Sequence, residues 1–276
     1  MSDFAAKRDN FCYRHPDRQS FILCQRCGRT VCPQCSTQAA VGVHCPECVK
    51  EAKANAPKRK PVNIRMARSL RNTNAPVITY GIIAICVVVF AAQLVLGNAL
   101  DYWLVYFAPY TFVEPWRLLT SLFAHGSPLH LLSNMFSMFI IGRMLEPALG
   151  RARFIALFLL SGLGGATAVA LISPGITVLG ASGAIFGMLG ALFVLIRRFG
   201  GNATQIVILV VLNLAIGFIV PGLAWQAHIG GLLVGAAVTA VFVRTRAERQ
   251  RRLQVFASIG IAVVLLATIA VRFALF

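Results

Sequence analysis

Gly180-Ala181-Ser182-Gly183-Ala184-Ile185-Phe186-Gly187 places a serine hydroxyl at the head of an apolar run that continues to residue 198. Similar runs recur on both sides of it, near 77–96, 128–147, 152–172, 203–220, 225–243 and 254–274. A helix crosses the hydrocarbon layer with about 20 mostly apolar residues, because no water is there to satisfy its backbone. The pattern therefore predicts an all-α polytopic membrane protein with seven spans, Ser182 opening the fourth.

Composition agrees. Of 276 residues, 58% are hydrophobic and 13% charged, against about a quarter charged in soluble domains. A single soluble domain is excluded. The polar, cysteine-rich residues stand apart at the start of the chain, which divides it into a small domain (1–50), a basic linker (51–76), a six-helix membrane domain (77–243), and a basic loop with a seventh helix (244–276). No apolar run of membrane length precedes residue 77, so no signal peptide is expected.

The net charge of +17 would suggest nucleic acid in a soluble protein. Here Lys50, Lys53, Lys58, Arg59, Lys60, Arg65, Arg68 and Arg71 lie just before the first span. That is where membrane proteins keep cationic flanks on the cytoplasmic side, so the bilayer is the expected partner and nucleic acid is not. Arg143, Arg151 and Arg153 surround the second connection, Arg197 and Arg198 the fourth, and Arg244, Arg246, Arg249, Arg251 and Arg252 the sixth. The first, third and fifth hold Arg117 alone. The alternation predicts a plasma-membrane protein with a cytoplasmic N-terminus and an external C-terminus.

The N-terminal segment repeats one spacing four times: Cys12-x-x-His15, Cys24-x-x-Cys27, Cys32-x-x-Cys35 and Cys45-x-x-Cys48. Two intervening residues let both donors of a pair meet one tetrahedral zinc. Eight donors make two closed, structural zinc sites, and a reducing cytoplasm disfavours disulfides. His44 is an alternative ligand in the second site.

Four polar residues interrupt the spans: His130 and Asn134 in the second, Ser182 in the fourth and His228 in the sixth. Such groups are costly in lipid and mark function. All four lie near the outer ends of spans that run in the same direction, so topology gives them one depth. Serine becomes a nucleophile when a positioned base takes its proton, and imidazole is the usual base. After Glu146 the next carboxylate is Glu248, at the far end of the sixth span, so a Ser182–His228 dyad is expected rather than a triad. His130 and Asn134, four apart on one helix face, are suited to donate to an oxyanion. Gly183 with Gly187, and Gly231 with Gly235, form small-x-x-x-small faces that let two helices approach closely.

Taken singly these features are bland. A lone membrane serine usually bonds its own i−4 carbonyl, and Ala184 breaks the Gly-x-Ser-x-Gly elbow. Their combination over 77–243 resembles the rhomboid intramembrane serine proteases. The resemblance implies Ser182 in Gly180-Ala-Ser-Gly183 as nucleophile, and His228 in Ala227-His-x-x-Gly231-x-x-x-Gly235 as base. It implies His130, Asn134 and the Ser182 backbone amide as oxyanion donors. Trp116-Arg117 is similar to a structural pair in the family's first external loop, and Gly142-x-x-x-Glu146 to a motif ending the second span. Phe186 stands where many relatives carry a tyrosine that stacks on the base, and the seventh helix is similar to the 6+1 arrangement of some members. The resemblance further implies cleavage of single-span membrane proteins near the outer boundary, without a catalytic cofactor. A bacterial source is expected.

The cysteine run is similar to B-box zinc fingers. Their interleaved pairing implies Cys12, His15, Cys32 and Cys35 on one ion, and Cys24, Cys27, Cys45 and Cys48 on the other. Its protein partner is not readable. The rival readings are a catalytically silent rhomboid-like protein that binds membrane clients, and a zinc-domain-bearing transporter or receptor.

Overall fold

A computed structural model describes residues 10–39, 41–55, 75–219, 222–245 and 247–275. Most of the cationic flank expected before the first span, from Lys58 to Arg71, falls outside the described residues. The chain divides into two compact units, Met1–Lys60 and Pro61–Phe276.

In the first unit β1 (Phe11–Cys12) pairs antiparallel with β2 (His15–Gln19), and β3 (Thr37–Gln38) with β4 (Val43–His44). Helix α1 (Pro46–Asn55) follows, passing the expected boundary at residue 50. Ribbons this short do not hold themselves together in water. The buried core is Val31 and six cysteines, with Tyr13 and Val43 packed on it. A core made of metal-ligand side chains leaves little apolar area to stabilise the fold.

The second unit runs α2 (Val77–Leu96), α3 (Asn98–Leu104), β5 (Tyr106–Phe107), α4 (Arg117–Thr120), α5 (Pro128–Leu149), α6 (Arg151–Ile172), β6 (Thr177–Val178), α7 (Ser182–Arg198), α8 (Thr204–Ile219), α9 (Trp225–Arg244) and α10 (Arg251–Leu275). Among its described residues seven long helices occupy the seven expected runs. The largest difference is at α10, which begins at Arg251 rather than 254. Among the described residues α2, α6, α9 and α10 are long and apolar enough to cross a bilayer by length and composition alone. The other three fall short for physical reasons. α5 carries His130, Asn134, Arg143 and Glu146, while α7 and α8 have 17 and 16 residues. α7 tolerates this because it is buried along most of its length among other helices. The chain is a multi-pass, mostly helical membrane protein with a six-helix core and an added seventh helix.

α7 is the axis of the core. α9 lies against it so closely that a Cβ on Gly231 would strike the carbonyl of Gly183, and one on Gly235 the carbonyl of Gly187. Met138, Leu145, Phe154, Leu157, Met188 and Val238 fill the interior around this crossing. At one end of α5, the Glu146 carboxylate accepts the backbone N–H groups of Ile78 (3.0 Å) and Thr79 (2.8 Å) and the Thr79 hydroxyl (2.7 Å). It thereby satisfies orphan amides in the first turn of α2. At the other end, β5 pairs antiparallel with β6, Tyr106 opposite Val178 and Phe107 opposite Thr177. This ties the segment leading into Ser182 to the α3–α4 connection.

Candidate active site

Ser182 is the first residue of α7, delivered by a turn that only glycine fits. Gly180 has φ +114°, and its N–H donates to the Ser121 carbonyl at 2.8 Å. A Cβ there would lie 2.7 Å from Cε1 and Nε2 of His130 and 3.8 Å from Nδ2 of Asn134. The turn thus passes directly over the polar face of α5, so the oxyanion pair expected from sequence sits behind the serine.

His228, the fourth residue of α9, is buried at 6% exposure. The Phe186 ring, one turn after Ser182, lies flat on its imidazole with centroids 4.2 Å apart and planes within 3°. Stacking therefore persists with phenylalanine in this position. His228 Nδ1 is buried with no hydrogen-bond partner. On that side is Gly217 of α8, whose added Cβ would come within 3.8 Å of Nδ1. Among the described residues no carboxylate is hydrogen-bonded to Nδ1.

Ser182, His228, His130, Gly180, Gly183 and Tyr106 line one cavity of about 310 Å³. Gly162, Gly165 and Ala166 of α6 form a wall of small residues. No hydrogen bond joins Ser182 to His228 among the described residues. General-base contacts are often long in a resting site and tighten with substrate. Asn134 is buried but does not line the cavity; its amide donates to the His130 carbonyl at 2.9 Å.

The remaining motif residues lie off the cavity. Arg117, 3% exposed, pairs with Glu114, donates to the Val105 carbonyl at 2.9 Å and sits 4.8 Å over the Tyr102 ring. Trp116 Nε1 donates to the Trp103 carbonyl at 3.2 Å. Both hold the α3–α4 connection, Glu146 caps α2, and Gly231 and Gly235 set the α7–α9 crossing.

The sequence reading missed His125. It is 1% exposed, its ring packs edge-on to His130 with centroids 5.2 Å apart, and its N–H donates to Gln93 Oε1 at 3.0 Å. Gln93 Nε2 donates in turn to Asp101 at 2.7 Å. His125 lies outside any apolar run, so a search for polar residues within spans passes over it; its five-residue distance from His130 was the available signal.

Comparison with known proteins now bears on this geometry. A profile of the Rhomboid domain matches residues 113–245. YdcA of Bacillus subtilis, a rhomboid by name, is 34% identical over 142 residues, 49% of this chain and 71% of YdcA. The chain belongs to the rhomboid family. RHOMBOID-like protein 5 of Arabidopsis thaliana is 40% identical over 131 residues, 44% of this chain and 42% of that protein. Rhomboid protease GluP of Bacillus subtilis is 37% identical over 130 residues, 44% of this chain and 25% of GluP. The match thus spans less than half the length of these last two relatives. They come from a plant and a bacterium alike, so kinship does not assign this rhomboid to bacteria. Ser182, His228, His130, Asn134, Gly180 and Gly183 all fall inside the matched stretch, whereas Tyr106, the cysteine-rich unit and α10 fall outside it.

That cysteine-rich unit gathers two donor groups: Cys12, His15, Cys32 and Cys35, and Cys24, Cys27, Cys45 and Cys48, the atoms of each lying within 4.8 Å of one another. His44 belongs to neither. His15 Nδ1 is 3.4–3.8 Å from the Sγ atoms of Cys35, Cys32 and Cys12. In the second group the backbone N–H of Cys45 donates to Cys24 Sγ at 3.2 Å. Burial pushes the Cys12 and Cys24 thiols up, but hydrogen bonds from nearby backbone and side chains outweigh it and hold both at about 6. Burial, reinforced by neighbouring thiols, pushes Cys35 to about 11 and Cys48 to about 12. Crowded thiolates that oppose one another in this way are what a divalent cation stabilises. All-sulfur and Cys₃His sets suit zinc, which would close each site with four protein ligands and fix the fold around it.

Proposed function

We propose that this rhomboid is an intramembrane serine endopeptidase. Ser182 is its nucleophile and His228 the general base. The Ser182 amide, His130 and Asn134 stabilise the oxyanion. The observation that carries the proposal is the cavity in which Ser182 and His228 meet, with Phe186 fixing the imidazole plane and Nδ1 left without a carboxylate. A stacked ring supplies the orientation that an aspartate gives elsewhere. His228 takes the Ser182 proton as Oγ attacks, then returns it to the leaving amine.

The substrate class follows from the setting: a transmembrane protein near the outer membrane boundary, with the chain's N-terminus cytoplasmic and its C-terminus external in a plasma membrane. A helix must unwind locally to expose its carbonyl, and small residues at the scissile bond suit the small-residue wall of the cavity. Two structural zinc ions complete the N-terminal unit, which serves recognition or regulation through a protein partner. Membrane vesicles carrying the wild type are expected to release membrane-protein fragments that Ser182→Ala vesicles do not. Identical fragment sets from the two would favour a silent client-binding rhomboid instead.

A further inference from the structure

The arginines opening α10 stand in an unusual electrostatic position. Arg251 and Arg252 occupy its first turn and Arg249 the 3₁₀ turn before it, so three cations crowd the positive end of a helix dipole. None makes an ion pair among the described residues. With Val255 and Phe256 they line an open cavity of about 500 Å³. The opposite side of the helix is anchored, because Gln254 accepts from Arg153 Nε at 2.9 Å and donates to the Thr245 carbonyl. The arginines consequently stay exposed at the surface. Below them Val255, Ile259 and Val263 recur every four residues, all exposed, as an apolar stripe along α10.

We propose that this is a binding site for one anionic diacyl phospholipid, its phosphodiester held by Arg249, Arg251 and Arg252 and an acyl chain laid along Val255, Ile259 and Val263. A free phosphate would answer the arginines but leave the stripe unused, whereas a phospholipid supplies both an anionic headgroup and an acyl chain. Basic pockets at the membrane surface hold anionic headgroups on the same chemistry. The site is independent of Ser182 and His228 and stands whether or not the chain is a protease.

Native mass spectrometry of the full chain, titrated with phosphatidylglycerol, phosphatidylcholine and inorganic phosphate, tests this. The wild type should retain a phosphatidylglycerol in preference to phosphatidylcholine, and excess inorganic phosphate should not displace it. R249Q/R251Q/R252Q should bind it about a hundredfold more weakly, from three lost contacts. R143Q/R197Q/R198Q, which removes the same charge from other connections, should bind as the wild type does. Equal retention by the first variant, equal loss by the second, or displacement by inorganic phosphate would each overturn the proposal.

Discussion

Among single residues, His130 and Asn134 were equivalent in the sequence, four apart on one helix face, yet the structure separates them. The His130 ring reaches the cavity, while Asn134 is turned to the His130 carbonyl. His130→Ala should therefore cost about 3 kcal/mol of transition-state stabilisation, roughly a hundredfold in turnover. Asn134→Ala should cost clearly less, with both proteins unfolding near the wild-type temperature. Steady-state cleavage of one reconstituted substrate decides it, and equal losses would give Asn134 as large a share in the oxyanion as His130. Residue chemistry was the most legible level, because polar groups inside apolar runs announce themselves. What stayed hidden were contacts set by backbone geometry, such as the φ of +114° that makes Gly180 a glycine and brings it onto His130.

At the scale of elements, seven apolar runs gave seven helices, since lipid leaves the backbone no alternative to internal hydrogen bonding. The β5–β6 ribbon was not legible. It is two residues a side and joins Tyr106 to Val178 and Phe107 to Thr177, about 70 positions apart in the chain, so neither periodicity nor turn chemistry reveals it. The glycine faces were readable as close-packing surfaces, and the collisions a Cβ would meet at Gly231 and Gly235 explain why nothing larger fits. Glu146 illustrates a motif whose role needed the structure: one carboxylate accepts three donors from the first turn of α2. Glu146→Gln keeps the shape but halves the acceptors and removes the charge, which should cost about 2–3 kcal/mol. Unfolding of the purified protein in detergent measures this; an unchanged midpoint would reduce the cap to a bystander.

The whole molecule joins two units held together by different physics. The membrane unit is a helical core packed through small residues, whereas the first unit buries little besides cysteine. Zinc content of the purified chain should be about two ions, one for each four-ligand group. A strong chelator should unfold the first unit alone, exposing its backbone to proteolysis while the membrane unit keeps its helicity. Resistance to protease after complete metal removal would mean that the unit folds on its own core. The pairing of its donors was legible by analogy to interleaved zinc fingers, and the reach past residue 50 was not, because α1 continues through polar residues with good helix propensity, from Glu51 to Asn55.

The most direct test of the central claim is covalent. A fluorophosphonate probe reacts with a serine only where a base activates it and donors receive the developing charge. Peptide mapping of the labelled wild type is expected to place the adduct on Ser182, with labelling abolished in Ser182→Ala and in His228→Ala. A folded, substrate-accessible protein that takes no label, or takes it equally in His228→Ala, would contradict the dyad.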